Sequence, residues 1–135
     1  MTEIYLGIKD GQLAPCPKSP NCVSTSTEDY DKSMEPLPLL RSLTKTKKTI
    51  RSLIHQMERC EIIEETDNYL YVIFKSKVMK FKDDVEFYLN EETGLLHFRS
   101  SSRIGYSDFG VNRKRMEKFS ESYNQIYESE DFHEL

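Results

Sequence analysis

The segment that runs from Arg99-Ser-Ser-Ser-Arg103 to Asn112, Arg113 and Arg115 sets guanidinium groups among hydroxyls and glycines. Arginine presents a planar fork of donors that fits carboxylates and phosphates bidentately, and serine hydroxyls add weaker hydrogen bonds. Convergence of Arg99, Arg103, Arg113 and Arg115, with Ser101 and Ser102 between them, would build an anion-binding site that Gly105 and Gly110 open to close backbone approach. Asp108 and Asn112 are candidates for orienting the arginines. The same cations can instead be satisfied inside the domain by Asp83, Asp84, Glu86 or Asp108. Arg113, Lys114 and Arg115 fall in the first turn of an expected helix, where the macrodipole disfavours cations, a repulsion that an anion from either source would offset.

Other reactive residue types are sparse. Cys16 and Cys22 flank Pro17-Lys-Ser-Pro-Asn21, a turn-forming run, and their spacing is not Cys-x-x-Cys. Structural loop thiols, a redox pair and metal ligation all stay open for them, and no metal is assigned. Cys60 reads as a packing thiol beside an apolar strand, and His97 as either a general base or a sheet-surface residue. Asp108-Phe-Gly110 matches the magnesium tripeptide of kinases, but the glycine-rich nucleotide loop and His-Arg-Asp segment are missing. Neither a catalytic triad nor a cofactor is expected.

Composition narrows the partners. The net charge of −4, from 19 basic and 23 acidic residues, argues against nonspecific nucleic-acid binding over the whole surface. A 135-residue chain that is 37% hydrophobic suits one small domain. No apolar run is long enough to cross a bilayer, and Met1-Thr-Glu-Ile-Tyr-Leu6 lacks the features of a secretory signal, so neither a membrane nor secretion is expected and the cytoplasm is the default compartment.

The elements that must position these residues follow from periodicity. Residues 1–43 hold five prolines and no sustained period, and read as an N-terminal wrapping segment. Beyond it, Ile50, Leu53, Ile54 and Met57 mark one face of a helix capped by Thr44 or Thr46, with Lys47, Lys48, Arg51 and Glu58 on the other. Alternation then predicts strands at 60–65, 69–76, 84–90 and 95–100, with turns at Thr66-Asp-Asn68 and Glu91-Glu-Thr-Gly94. A second helix follows, with Asn112 as its cap, Val111 and Met116 as a hydrophobic staple, and Phe119, Tyr123 and Ile126 on its apolar face. The expectation is an α+β domain over 1–135: an antiparallel sheet of about four strands covered by two helices, a core over 44–127, and a solvated acidic tail over 128–135.

Three motifs together, Cys16-Pro-Lys-Ser-Pro-Asn-Cys22, Asp83-Asp-Val-Glu-Phe87 and Arg99-Ser-Ser-Ser-Arg103 followed by Gly105, Asp108, Gly110, Asn112, Arg113 and Arg115, carry a resemblance. From about Leu13 through the final helix the chain resembles domain-of-unknown-function family 1499. The resemblance implies one compact domain that includes the cysteine loop. It brings no activity, substrate or catalytic residue. Relatives attached to membranes or directed to plastids use added segments not expected here.

The functional expectation is noncatalytic binding of a small anion or an acidic protein surface. The enzymatic alternative is a small hydrolase or thiol-dependent enzyme using His97 or a cysteine. A third alternative is a scaffold that pairs with another chain through an exposed strand edge.

Overall fold

The computed structural model describes residues 5–18, 21–57, 59–75, 81–103 and 110–133, the last three without their side chains. In chain order the elements are β1 (Cys22–Ser24), β2 (Leu37–Pro38), α1 (Leu43–His55), β3 (Cys60–Glu65), β4 (Tyr69–Lys75), β5 (Lys82–Asn90), β6 (Leu95–Ser102) and α2 (Val111–His133), with a 3-10 turn at Tyr30–Lys32.

Strands β3 to β6 pair in sequence order as an antiparallel meander. Period-2 alternation gives the sheet one apolar face: Leu70, Val72, Phe74, Val85, Phe87, Leu89, Leu96 and Phe98 are all buried. Both helices lie on that face. Ile50, Leu53 and Ile54 of α1 and Met116, Phe119 and Tyr123 of α2 close the core against it. Phe119 packs its ring 5.0 Å from Phe87 and 5.9 Å from Tyr123, spacing suited to aromatic pairs.

Among the described residues the sheet has six strands, not about four. Both additions come from the N-terminal segment and sit end to end on the outer edge of β6, β1 opposite Arg99–Ser101 and β2 opposite Leu95 and Leu96. Strands of three and two residues are too short to show a period, and Pro38 counts against a strand in sequence. An edge position removes that objection, because proline lacks only a donor. What fixes these strands is the row of unpaired groups on β6.

Smaller departures have local causes. Ser42, not Thr44 or Thr46, caps α1 by accepting from the Lys45 amide at 3.1 Å. Buried Thr46 instead donates to the Ser42 carbonyl at 2.8 Å and accepts from the Leu40 amide at 3.1 Å. Helix α2 starts at Val111, one residue before the expected cap, and Val111 is exposed while Asn112 is fully buried. The stretch read as an acidic tail continues α2 to His133, and Glu130 pairs with Lys45 of α1 at 2.8 Å. Ser76, Glu58, Gly105 and Asp108 lie outside the described residues.

The opposite face of the sheet is polar and is covered in part by residues 5–16. There Leu13 packs with Tyr69 and Tyr88. This segment folds back at Asp10-Gly11, where φ values of +52° and +73° suit a two-residue turn between Lys9 and Gln12. Truncation of Phe119 to alanine is expected to cost about 3–5 kcal/mol in urea unfolding, whereas Ile63→Ala on the exposed side of β3 should stay within about 0.5 kcal/mol.

Candidate functional site

Strand β5 supplies three acids, and alternation sends them to different faces. Asp83 shares the helix face with Val85 and Phe87, while Asp84 and Glu86 point to the polar face. Each acid takes one of the arginines singled out in sequence.

Glu86 is 0% exposed and Arg99, its cross-strand neighbour on β6, is 3% exposed. Arg99 donates to Glu86 Oε1 from Nε at 3.0 Å and from Nη2 at 2.6 Å, and Nη2 also reaches the Tyr5 carbonyl at 3.2 Å. Glu86 Oε2 accepts from the Tyr69 hydroxyl at 2.5 Å and from the Gly7 amide at 2.7 Å. Burial, reinforced by the Glu86 carboxylate, raises the Tyr69 phenol far above its ordinary value and keeps it a donor. The pair is thus sealed between the sheet and the N-terminal segment.

On the helix face, Arg115 donates to Asp83 Oδ2 at 2.7 Å, to Asn112 Oδ1 at 2.9 Å and to Ser100 Oγ at 3.1 Å. Its guanidinium lies 4.7 Å from the centre of the Phe74 ring. Asn112 extends this network, donating to the Asn21 carbonyl at 3.0 Å and to Ser102 Oγ at 2.8 Å. Its amide links α2, β6 and the start of β1 through a buried side chain, where a helix cap would have faced solvent.

The third pair is more open. Arg103, 40% exposed, meets Asp84 through Nε at 3.1 Å and Nη2 at 3.0 Å, and Nη2 also donates to the Tyr71 hydroxyl at 3.2 Å. Tyr71 in turn donates to Asp84 Oδ1. Hydrogen bonds donated to Asp84 and Tyr71 hold the Arg103 guanidinium charged, and burial raises the Tyr71 phenol. Arg113 points elsewhere, to the Asp31 carbonyl at 2.8 Å.

The arginines named as one anion site therefore do not converge. Arg99 and Arg115 lie on opposite faces of the sheet, Arg103 sits just past the end of β6, and Arg113 turns from α2 to the loop at Asp31. Ser102 faces α2, and Ser101, opposite Cys22 and Asp84, belongs to the polar face. Three of the internal acids that could satisfy the cations do so. Sequence reading missed the two tyrosines, although Tyr69 and Tyr71 share the parity of one face of β4, as Asp84 and Glu86 do on β5.

Cys16 and Cys22 are joined in a disulfide with Cα atoms 5.7 Å apart. In this form neither sulfur is a thiolate, so neither can act as nucleophile or metal ligand. The His97 ring bonds Thr25 instead, Nδ1 to Oγ1 at 2.9 Å. Cys60 is the free cysteine; burial raises its thiol, which donates to the Ile54 carbonyl at 3.7 Å. No group of three or more metal-ligating side chains gathers among the described residues.

A family model described as "Protein of unknown function (DUF1499)" matches residues 12–122. The chain belongs to that family. The matched span includes the disulfide, the three acids of β5 and their arginine partners, but not Tyr5 or Gly7, which close the Glu86 cluster. No curated protein and no solved structure matches the chain. No helix among the described residues is long and apolar enough to cross a membrane.

Two concave features accompany these networks. A pocket of about 240 Å³ lies between the end of α1 and the start of α2, lined by Met57, Val111, Lys114, Arg115 and Lys118. A groove of about 780 Å³ opens on the polar face between the Lys9–Gln12 turn and the loop after β1, with His97 in its lining. The free edge of β3 carries Glu61, Glu64 and Glu65 and a register irregularity between Ile62 and Glu64, features that discourage pairing with another strand.

Removal of one partner of the buried Glu86–Arg99 pair leaves the other charge without its counterion. Arg99→Met is expected to lose about 3–5 kcal/mol in denaturant unfolding, and the double change Arg99→Met/Glu86→Leu to recover much of that loss.

Proposed function

We propose that the chain is a noncatalytic binding domain for an acidic partner, and that its contact surface is the pocket between the two helices. The observation behind this is the pairing of exposed Lys114 and Lys118, one turn apart on α2, with the apolar side chains of Met57 and Val111. Neither lysine has an ion-pair partner among the described residues, whereas Arg99, Arg103 and Arg115 spend their charge on acids of β5. Like charges at i and i+4, placed near the positive end of a helix, are unfavourable until an anion arrives. A carboxylate or phosphate borne on an apolar body would meet both the lysines and the floor.

This keeps the chemistry expected from sequence and moves its location from the arginines to the lysines. Thiol catalysis by Cys16 or Cys22 would first require the disulfide to open. The disulfide also favours an oxidising compartment over the cytoplasm, where reducing systems keep thiols free.

Amide NMR titration with a peptide alternating glutamate and leucine, and separately with inorganic phosphate, tests the reading. Shifts should centre on Met57, Val111, Lys114 and Lys118, weaken with added salt and vanish in Lys114→Gln/Lys118→Gln, whose own spectrum stays folded. Shifts that survive the double substitution, or none with either probe, would contradict it.

A further inference from the structure

The groove on the polar face is a second feature, independent of the lysines. One wall is the Lys9–Gln12 turn, closed by paired backbone hydrogen bonds of 2.9 and 3.0 Å. The other is the loop Thr25–Asp29, fixed by four contacts: Thr25 N to the Phe98 carbonyl at 3.0 Å, Ser26 N to Ser24 Oγ at 3.0 Å, Asp29 N to Thr27 Oγ1 at 3.3 Å and Asp31 N to Asp29 Oδ1 at 3.1 Å. The Cys16–Cys22 disulfide joins the chain leaving the first wall to the strand that enters the second. Walls held this way need little ordering when a ligand enters.

The chemistry of the lining is that of an uncharged ligand. Lys9 is the groove's cation and lies 4.8 Å from the centre of the Tyr5 ring. Against it stand Glu28 and Asp29, and Asp29 is already met by Lys32 at 3.2 Å. His97 stacks on Tyr88, with ring centres 6.3 Å apart, and burial lowers its pKa, so the imidazole is neutral near pH 7. With Nδ1 held by Thr25, its Nε2 has no protein partner among the described residues; the same is true of the Gln12 side-chain carboxamide and the Ser26 hydroxyl. Donors and acceptors thus share the lining with the aromatic ring of Tyr5 and the ring of Pro15. A volume of about 780 Å³ lies within the range of small-molecule sites.

We infer that the groove binds an uncharged, hydroxyl-rich ring of saccharide type, one or two sugar units long. Its hydroxyls would exchange hydrogen bonds with His97, Gln12, Ser26 and Glu28 while a ring face rests on Tyr5 or His97.

The test is amide NMR titration of the oxidised protein with glucose, N-acetylglucosamine and maltose, each at low and high salt, with glucose 6-phosphate as the charged comparison. Saturable shifts at Thr25, Ser26 and His97 are expected for at least one neutral sugar, with a Kd of about 1 mM or tighter that salt leaves nearly unchanged. Gln12→Trp, which fills the groove from an exposed position, should weaken this at least about tenfold without altering the remaining spectrum. His97→Phe, which keeps the stack and removes both nitrogens, should weaken it as well. Absence of saturable shifts with all three neutral sugars, shifts that persist in Gln12→Trp, or a response confined to glucose 6-phosphate and abolished by salt would overturn the inference.

Discussion

The carboxylate of Glu86 is the constraint on which the two sides of this molecule depend. A fully buried anion is tolerable only if its oxygens are occupied, and four donors occupy them: two from Arg99, one from Tyr69 and one from the Gly7 amide. Two of the three residues supplying those donors lie on neighbouring strands and fix register. The last belongs to the N-terminal segment, which reaches the sheet without regular strand pairing there. Satisfying one charge therefore anchors a segment that has little periodic apolar content of its own.

The same logic repeats along β5. Asp83 reaches through the core side to Arg115 and thereby fixes the first turn of α2, while Asp84 gathers Tyr71 and Arg103 at the strand end. Polar networks of this kind add less net stability than apolar packing of equal volume, but they reject arrangements that leave a charge unpaired. In this domain they define where the non-strand elements sit. The core formed by Phe87, Phe98, Phe119 and Tyr123 supplies the hydrophobic stabilisation.

Both helices and the meander were legible in the sequence because each repeats its period over several residues, as Ile50, Leu53 and Ile54 do in α1 and Val85, Phe87 and Leu89 do in β5. Strands β1 and β2 were not, since three and two residues carry no period and owe their form to the edge of β6. The Asp10-Gly11 turn had its local signal, but no alternating run on either side to support it. At the candidate site, the choice between an external anion and internal acids could not be made from residue types alone. It turns on tertiary placement: Arg99 and Arg115 are 16 positions apart in sequence and on opposite faces of one sheet. The disulfide was not read from the sequence either, because two cysteines spanning a proline-containing turn suit structural loop thiols, a redox pair or metal ligation, and only tertiary placement decides among them.

With the buried cations spoken for, the two surfaces proposed for recognition are ones that stay open: the lysine flank of α2 and the groove beside His97. Both depend on the anchored N-terminal segment or the elements it braces, and native-state hydrogen exchange at the Gly7 amide probes that anchor most directly. An amide that donates to the buried Glu86 carboxylate at 2.7 Å should exchange only when the segment lifts from the sheet, far more slowly than an unprotected loop amide. Exchange at the rate of an unprotected loop, while β5 remains protected, would show that the segment is not held by Glu86 and would contradict the central claim.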